Sequence, residues 1–137
     1  RVINSMIDDY LARNYHKSIG FTSLGQLRYL SAMQHVDAVV GNSSSGIIET
    51  PSFKIGTINI GDRQKGRIKA DSIIDCLPNK KSIRNAFKIL YSKGFQSKLK
   101  NTESPYGSGS ASKEIVEVLK TVELNNIIKK SFYNTNH

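Results

Sequence analysis

One stretch constrains this chain more than any other: Val36-Asp37-Ala38-Val39-Val40-Gly41-Asn42-Ser43-Ser44-Ser45-Gly46-Ile47-Ile48-Glu49-Thr50-Pro51. A β-branched apolar run passes through small, hydroxylated, glycine-flanked positions into a short apolar-periodic segment, so it predicts a strand, a tight turn and a helix N-terminus. Such a turn is a natural seat for a phosphate. Backbone N–H groups and the positive end of the helix dipole favour an anion, and serine hydroxyls add donors without crowding it. The same residues also read as an ordinary strand-to-helix connection, with Asn42 or Ser43 capping the helix and the glycines permitting the turn. The stretch matches neither the Walker pattern nor G-x-G-x-x-G.

A chain of 137 residues can bury one core, which predicts one compact unit or a piece of a larger domain. No apolar run approaches the roughly 20 residues of a membrane span, so no membrane partner is expected. The chain starts at Arg1 and enters helical periodicity at once, which suggests a fragment or processed piece. Its one cysteine, Cys76, rules out an internal disulfide framework and offers no metal cluster. Cytoplasmic residence is the default expectation.

The formal charge is +9, and its distribution matters more than its size. Between Gly61 and Asn101, eleven Lys or Arg face only Asp62, Asp71 and Asp75, leaving +8 in that segment and about nothing elsewhere. A local basic face suits nucleic acid, an acidic partner or a phosphorylated small ligand. Aromatic interleaving is thin, no named nucleic-acid motif is present, and most of these lysines fall at solvated helix positions. No nucleic-acid partner is therefore expected.

Along the chain, Ile3, Met6, Ile7, Tyr10 and Leu11 predict an amphipathic helix over Val2–Asn14, packed on a sheet. Ile19–Phe21 is a short strand candidate. Ser23-Leu24-Gly25-Gln26 has capping-box form and opens a helix through Leu27, Leu30 and Met33, closed by His35. His35 reads as a partner for the helix C-terminus rather than as a base or ligand. After the seryl turn, Pro51 and Ser52 end a helix of barely two turns, and Thr57–Ile60 forms a strand. A polar loop follows, Gly61-Asp62-Arg63-Gln64-Lys65-Gly66-Arg67. Next come a strand at Ser72–Asp75 and a helix capped by Asn79, running Lys80–Lys93 on a stripe of Ile83, Ala86, Phe87 and Leu90 and stopped by Gly94. Ser104-Pro105-Tyr106-Gly107-Ser108-Gly109-Ser110 is a turn-rich connector. Ile115, Val118, Leu119 and Val122 mark another helix, and a second helical segment is expected around Leu124–Lys130 before a frayed tail.

Short strands alternating with helices predict an α/β fold, a parallel sheet covered on both faces, with ligands outside the carboxyl ends of the strands. The loops Gly41–Gly46 and Gly61–Arg67 follow consecutive strands at that edge, so both can converge on one ligand. Arg63 or Arg67 would supply a planar fork for phosphate oxygens. Glu49, one turn into the helix, can accept hydrogen bonds from vicinal hydroxyls, or it can be a helix-start carboxylate favoured by the dipole. Together these residues predict an electropositive site for a sugar nucleotide or nucleoside diphosphate.

Assembled in order, they resemble the C-terminal part of the hydrolysing UDP-N-acetylglucosamine 2-epimerases, particularly the sialic-acid pathway branch. The resemblance rests on Gly41-Asn42-Ser43-Ser44-Ser45-Gly46, on Glu49, on Ile58-Asn59-Ile60-Gly61-Asp62-Arg63-Gln64-Lys65-Gly66-Arg67 and on Pro105-Tyr106-Gly107-x-Gly109, and covers about Phe21 to Val122. It implies a GT-B fold of two Rossmann-like domains with substrate in the cleft between them. Residues 1–122 would then be an incomplete C-terminal, UDP-binding domain, and 123–137 a helical tail. By the same resemblance Ser43 and Ser44 contact the UDP phosphates, Glu49 the ribose hydroxyls and Arg63 the diphosphate. Phe21, Ser45, Gly46, Gln64 and Arg67 are further contact candidates, Phe21 near the uracil.

The implied chemistry eliminates UDP across C1 and C2 of UDP-N-acetylglucosamine to give a glycal, then adds water with inversion at C2, releasing N-acetylmannosamine and UDP. The family's principal catalytic carboxylates belong to an N-terminal domain absent from this sequence, so no general base is assigned. Asp62 and Asp71 read as structural or solvated. No cofactor or metal is implied, and a homo-oligomer is among the expected partners. The family connector commonly reads Pro-Tyr-Gly-Asp-Gly-Asn. Here Ser108 and Ser110 stand at the acidic and amide positions, and serines can still cap the next helix. Alternative readings are an epimerase for a UDP-linked diacetamido-trideoxy sugar, a GT-B glycosyltransferase lobe, and a non-enzymatic nucleotide-sensing or interaction module.

Overall fold

The computed structural model of this chain describes residues 2–107 and 109–125. Its centre is a three-stranded parallel sheet of β1 (Ala38–Gly41), β2 (Gly56–Ile60) and β3 (Ile73–Cys76), in spatial order β1-β2-β3. The register pairs Ala38 with Gly56 and Gly41 with Asn59 on one side of β2, and Thr57 with Ile73 and Ile60 with Cys76 on the other. Because side chains alternate along a strand, Ile58 and Thr57 point to opposite faces.

On the Ile58 face lies helix α4 (Lys80–Leu90), whose Ala86 and Leu90 close the core with Ile58 and Ile74. Burying side chains such as Ile58 or Leu90 is worth about 1.5 to 3 kcal/mol each. Gly56 allows this close approach, since a Cβ there would stand 2.3 Å from Leu90 Cδ1. Against the Thr57 face lies helix α3 (Ser45–Ile48), continued by a 3₁₀ turn at Thr50–Phe53 with Pro51 in its first turn. A Cβ on Gly46 would come within 2.8 Å of Thr57 Cγ2. The Thr50 hydroxyl donates to the Gly46 carbonyl at 2.7 Å, so the Thr57 hydroxyl, 2.7 Å away, is the one that donates to Thr50. Helices therefore cover both faces of a parallel, Rossmann-like sheet.

Asn79 caps α4 as expected, its Oδ1 accepting from Ser82 N at 2.9 Å. That helix stops at Leu90, however, not at Gly94. Ser92 intervenes: its hydroxyl donates to the Ile89 carbonyl at 2.8 Å and accepts from Phe95 N at 3.3 Å, so it starts a separate helix, α5 (Lys93–Lys100). A serine that bonds backbone on both sides offers the chain an alternative to continuing the helix. Gly94 lies inside α5, whose Phe95 packs on the core.

The N-terminal expectations need three corrections. Helix α1 (Val2–Arg13) forms, but none of its residues is buried, and Ile3, Met6, Ile7 and Tyr10 are each half exposed or more. It does not pack on the sheet. Ile19–Phe21 forms no strand: both apolar side chains are exposed and no neighbouring strand pairs with them. Helix α2 (Gly25–Met33) follows, with the Ser23 hydroxyl accepting from Gly25 N at 3.2 Å rather than closing a capping box. Helix α6 (Ala111–Thr121) also forms. Its N-cap Ser110 makes no side-chain bond to the helix N–H groups: its backbone is helical rather than extended as at Asn79 and Ser92, and its hydroxyl donates to the Glu114 carboxylate. Ser108 and the greater part of the segment expected at Leu124–Lys130 lie outside the described residues. No helix among the described residues is long and apolar enough to cross a membrane.

Candidate functional site

Strands β1 and β2 run side by side in parallel, so their carboxyl ends release the seryl turn and the basic loop at one edge. The loop is shaped by Gly61 and Gly66, which sit at φ +81° and +82°, a region that glycine enters without a side-chain penalty. What ties loop to turn is Gln64. Only 3% exposed, it donates from Nε2 to the Asn42 carbonyl at 2.8 Å. That bond orients the amide, because a carbonyl accepts only from the NH2 end, and it leaves Oε1 buried with no hydrogen-bond partner among the described residues. The two loops thus meet as the spacing of the strands suggests.

The expected contact residues divide by environment. Ser43 is exposed, Ser44 and Ser45 are half-buried, and the Ser43 hydroxyl accepts weakly from Ser45 N at 3.4 Å. Gly46 is buried against Thr57, and its N–H donates to the Ser43 carbonyl. Helix α3 is a single turn, so few peptide dipoles add at its start. An anion at this turn would depend mainly on local N–H groups, hydroxyls and the neighbouring cations. Arg63 and Arg67 are exposed and form no ion pair among the described residues.

Glu49 lies at the end of α3, half-buried, with Oε2 accepting from the Ser45 hydroxyl at 2.5 Å. Tyr29 of α2 reaches the same hydroxyl at 2.5 Å. Glu49, Ser45 and Tyr29 line an open groove of about 590 Å³, together with Phe21, Ser23 and Gln26. The structure therefore brings Phe21 to the groove that holds Glu49. It leaves Arg63 outside the groove lining, on the loop joined through Gln64.

Two groups escaped sequence reasoning. Tyr29 lies sixteen residues before Ser45, with no local spacing to connect them. The second is a polar cluster at the other edge of β2. Asn59, buried, donates to Asp75 Oδ1 at 2.6 Å, and Lys69 Nζ binds both Asp75 oxygens at 2.9 and 2.8 Å. An Asn inside a strand was the available signal, since such a residue needs a partner. Burial by itself would raise the Asp75 pKa, but the hydrogen bonds from Lys69 and Asn59, with the Lys69 charge, bring it below the ordinary 3.8. Burial, and then the Asp75 charge, push the Cys76 thiol up. The basic loop is thus tied at its middle, by Gln64 to the turn, and just past its end, by Lys69 to β3. The connector adds a third tie, Tyr106 Oη donating to the Ile68 carbonyl at 2.8 Å.

These features define a Rossmann-like α/β unit with polar loops at the carboxyl edge of its sheet. Residues 1–120 match the sequence profile of the UDP-N-acetylglucosamine 2-epimerases, and the chain belongs to that family. It is 45% identical over 132 residues to a GDP/UDP-N,N'-diacetylbacillosamine 2-epimerase (hydrolyzing) of Campylobacter jejuni, which covers 96% of this chain and 34% of that protein. Polysialic acid biosynthesis protein P7 of Escherichia coli is 39% identical over 77% of this chain and 27% of its own length. A UDP-N,N'-diacetylbacillosamine 2-epimerase (hydrolyzing) of Legionella pneumophila is 33% identical over 73% of this chain and 26% of its own length. The chain thus spans between a quarter and a third of these relatives.

Proposed function

We propose that this chain is the UDP-binding part of a hydrolysing 2-epimerase that acts on a UDP-linked 2-acetamido sugar. The rest of the enzyme would form a second Rossmann-like domain, completing a GT-B cleft. The observation that carries this reading is the Gln64–Asn42 bond, which holds the seryl turn and the arginine loop at one sheet edge. Ser43 and Ser44 then offer donors to the diphosphate, Arg63 supplies the charge-assisted contact, and Glu49 receives the ribose hydroxyls in the groove beside Phe21. In the reaction, UDP leaves C1 as a proton leaves C2, and water adds to the resulting glycal with inversion at C2. Arg63 and the turn stabilise the charge that develops on the leaving diphosphate. The proton-transfer groups come from the other domain, and the enzyme works in the cytoplasm for sialic-acid-type sugar synthesis.

For the sugar itself, UDP-N-acetylglucosamine is the first reading, with N-acetylmannosamine as product. A UDP-linked diacetamido-trideoxy sugar is the second, favoured by the 45% identity to the Campylobacter protein that carries diacetylbacillosamine in its name. Turnover of both UDP-sugars by the full-length enzyme separates them.

Calorimetric titration of UDP, with uridine and ADP as controls, tests the site directly. Binding should be uracil-selective, weaken with salt, and fall by about 1.5 to 3 kcal/mol in Arg63→Ala, the range for a hydrogen bond to a charged group. UDP binding that is indifferent to Arg63 removes the phosphate assignment.

A further inference from the structure

Tyr29, on a helix that carries none of the recognised motifs, decides how Glu49 is held. A serine hydroxyl has one proton, and that of Ser45 goes to Glu49 Oε2. The phenol O–H must therefore donate to Ser45 Oγ, 2.5 Å away. The chain of bonds runs in one direction, from Tyr29 through Ser45 to Glu49, and successive bonds of this kind polarise one another. Among the described residues Glu49 Oε1 accepts no hydrogen bond. One carboxylate oxygen is thus anchored by the protein and the other remains an open acceptor, in a groove lined by all three side chains. Holding a rotatable acceptor in place beforehand removes an ordering cost from binding.

We infer that Tyr29 is a positioning residue for nucleoside selectivity: through Ser45 it fixes the Glu49 carboxylate so that the groove prefers a ribonucleoside diphosphate over its deoxyribose analogues. This rests on the reading of Glu49 as the ribose acceptor. Tyr29 lines the same groove, but its hydroxyl proton is committed to Ser45. Its effect passes through the two side chains between it and the sugar, so it must appear in a ratio of affinities rather than in overall stability.

The test measures binding of UDP, 2′-deoxy-UDP and 3′-deoxy-UDP to the full-length enzyme that carries this chain and to its Tyr29→Phe, Ser45→Ala and double variants, with circular dichroism to confirm that each folds. The parent should bind UDP about tenfold more tightly than the weaker deoxy analogue, as for loss of one hydrogen bond to a charged group. Tyr29→Phe keeps the ring and removes only the hydroxyl. It should cut that ratio to about threefold or less, with affinity for the weaker deoxy analogue nearly unchanged. The double variant should be no less selective than Ser45→Ala alone, since both changes break one chain of bonds. Equal losses for UDP and its deoxy analogues, or an unchanged ratio, overturn the inference and leave Tyr29 a packing residue. If UDP binding depends on Arg63 but the ratio ignores Tyr29, only this inference fails. If the parent binds no UDP, the site reading fails and this inference falls with it.

Discussion

Helices α4 and α6 are the same length and both carry an apolar stripe, yet the fold uses them in opposite ways. Helix α4 buries Ala86 and Leu90 on the sheet, and its N-cap Asn79 accepts from a helix N–H. Helix α6 buries nothing: Ile115 is 58% and Leu119 68% exposed, and its N-cap serine bonds a carboxylate rather than the backbone. An amphipathic period specifies a helix and the face that seeks cover. It does not specify the cover. Helix α1 teaches the same lesson at the other end of the chain, with its stripe complete and no residue buried.

This contrast can be broken by experiment. Leu90→Ala should cost about 2 to 5 kcal/mol in denaturant unfolding, because it opens a cavity under β2. A cost below 1 kcal/mol would mean that α4 is no better packed than α6. Removing the cap with Asn79→Ala should cost about 1 kcal/mol, whereas Ser110→Ala should cost less, having no backbone N–H to release. Equal losses would erase the distinction between the two helix starts. Leu119→Ala should change the stability of this chain by no more than about 0.5 kcal/mol, as exposed substitutions usually do. The same change in the full-length protein should cost more if α6 meets another part of the enzyme there.

The smallest effect concerns pH. Asp75, on the strand beneath α4, has its carboxyl held below 3.8, so the folded state favours its charged form. That contribution is present above the unfolded pKa and is lost as pH falls below 3.8 through the folded value. The Lys69 pair is partly solvated, which keeps the contribution small. Asp75→Asn should flatten this acid limb in a pH series of melting temperatures, and an unchanged limb would assign it to other carboxylates.

Much of this arrangement was legible in the chain. Apolar runs of β-branched residues separated by polar glycine loops predicted three strands near their observed places, and parallel order followed from the alternation with helices. The seryl turn and the arginine loop were placed at one edge because a parallel sheet sends all its carboxyl ends the same way. Local chemistry misled where two signals competed within a few residues. Ser92 ended a helix that the apolar stripe would have carried to Lys93, and Ile19–Phe21, strand-like by composition, had no neighbour with which to pair.

The amino-acid sequence by itself determined most element types, the parallel strand direction and the chemistry available at the sheet edge, because these follow from patterns of residues close together in the chain. Tertiary structure alone decided that Gln64 buries its amide to join two loops, that Tyr29 reaches Ser45, and that Asn59 and Lys69 converge on Asp75. Each of these contacts spans a fold in the chain, and a hydrogen bond forms or fails over a few tenths of an ångström. No periodicity carries such information: spacing sets which face a side chain occupies, whereas packing sets what it meets there.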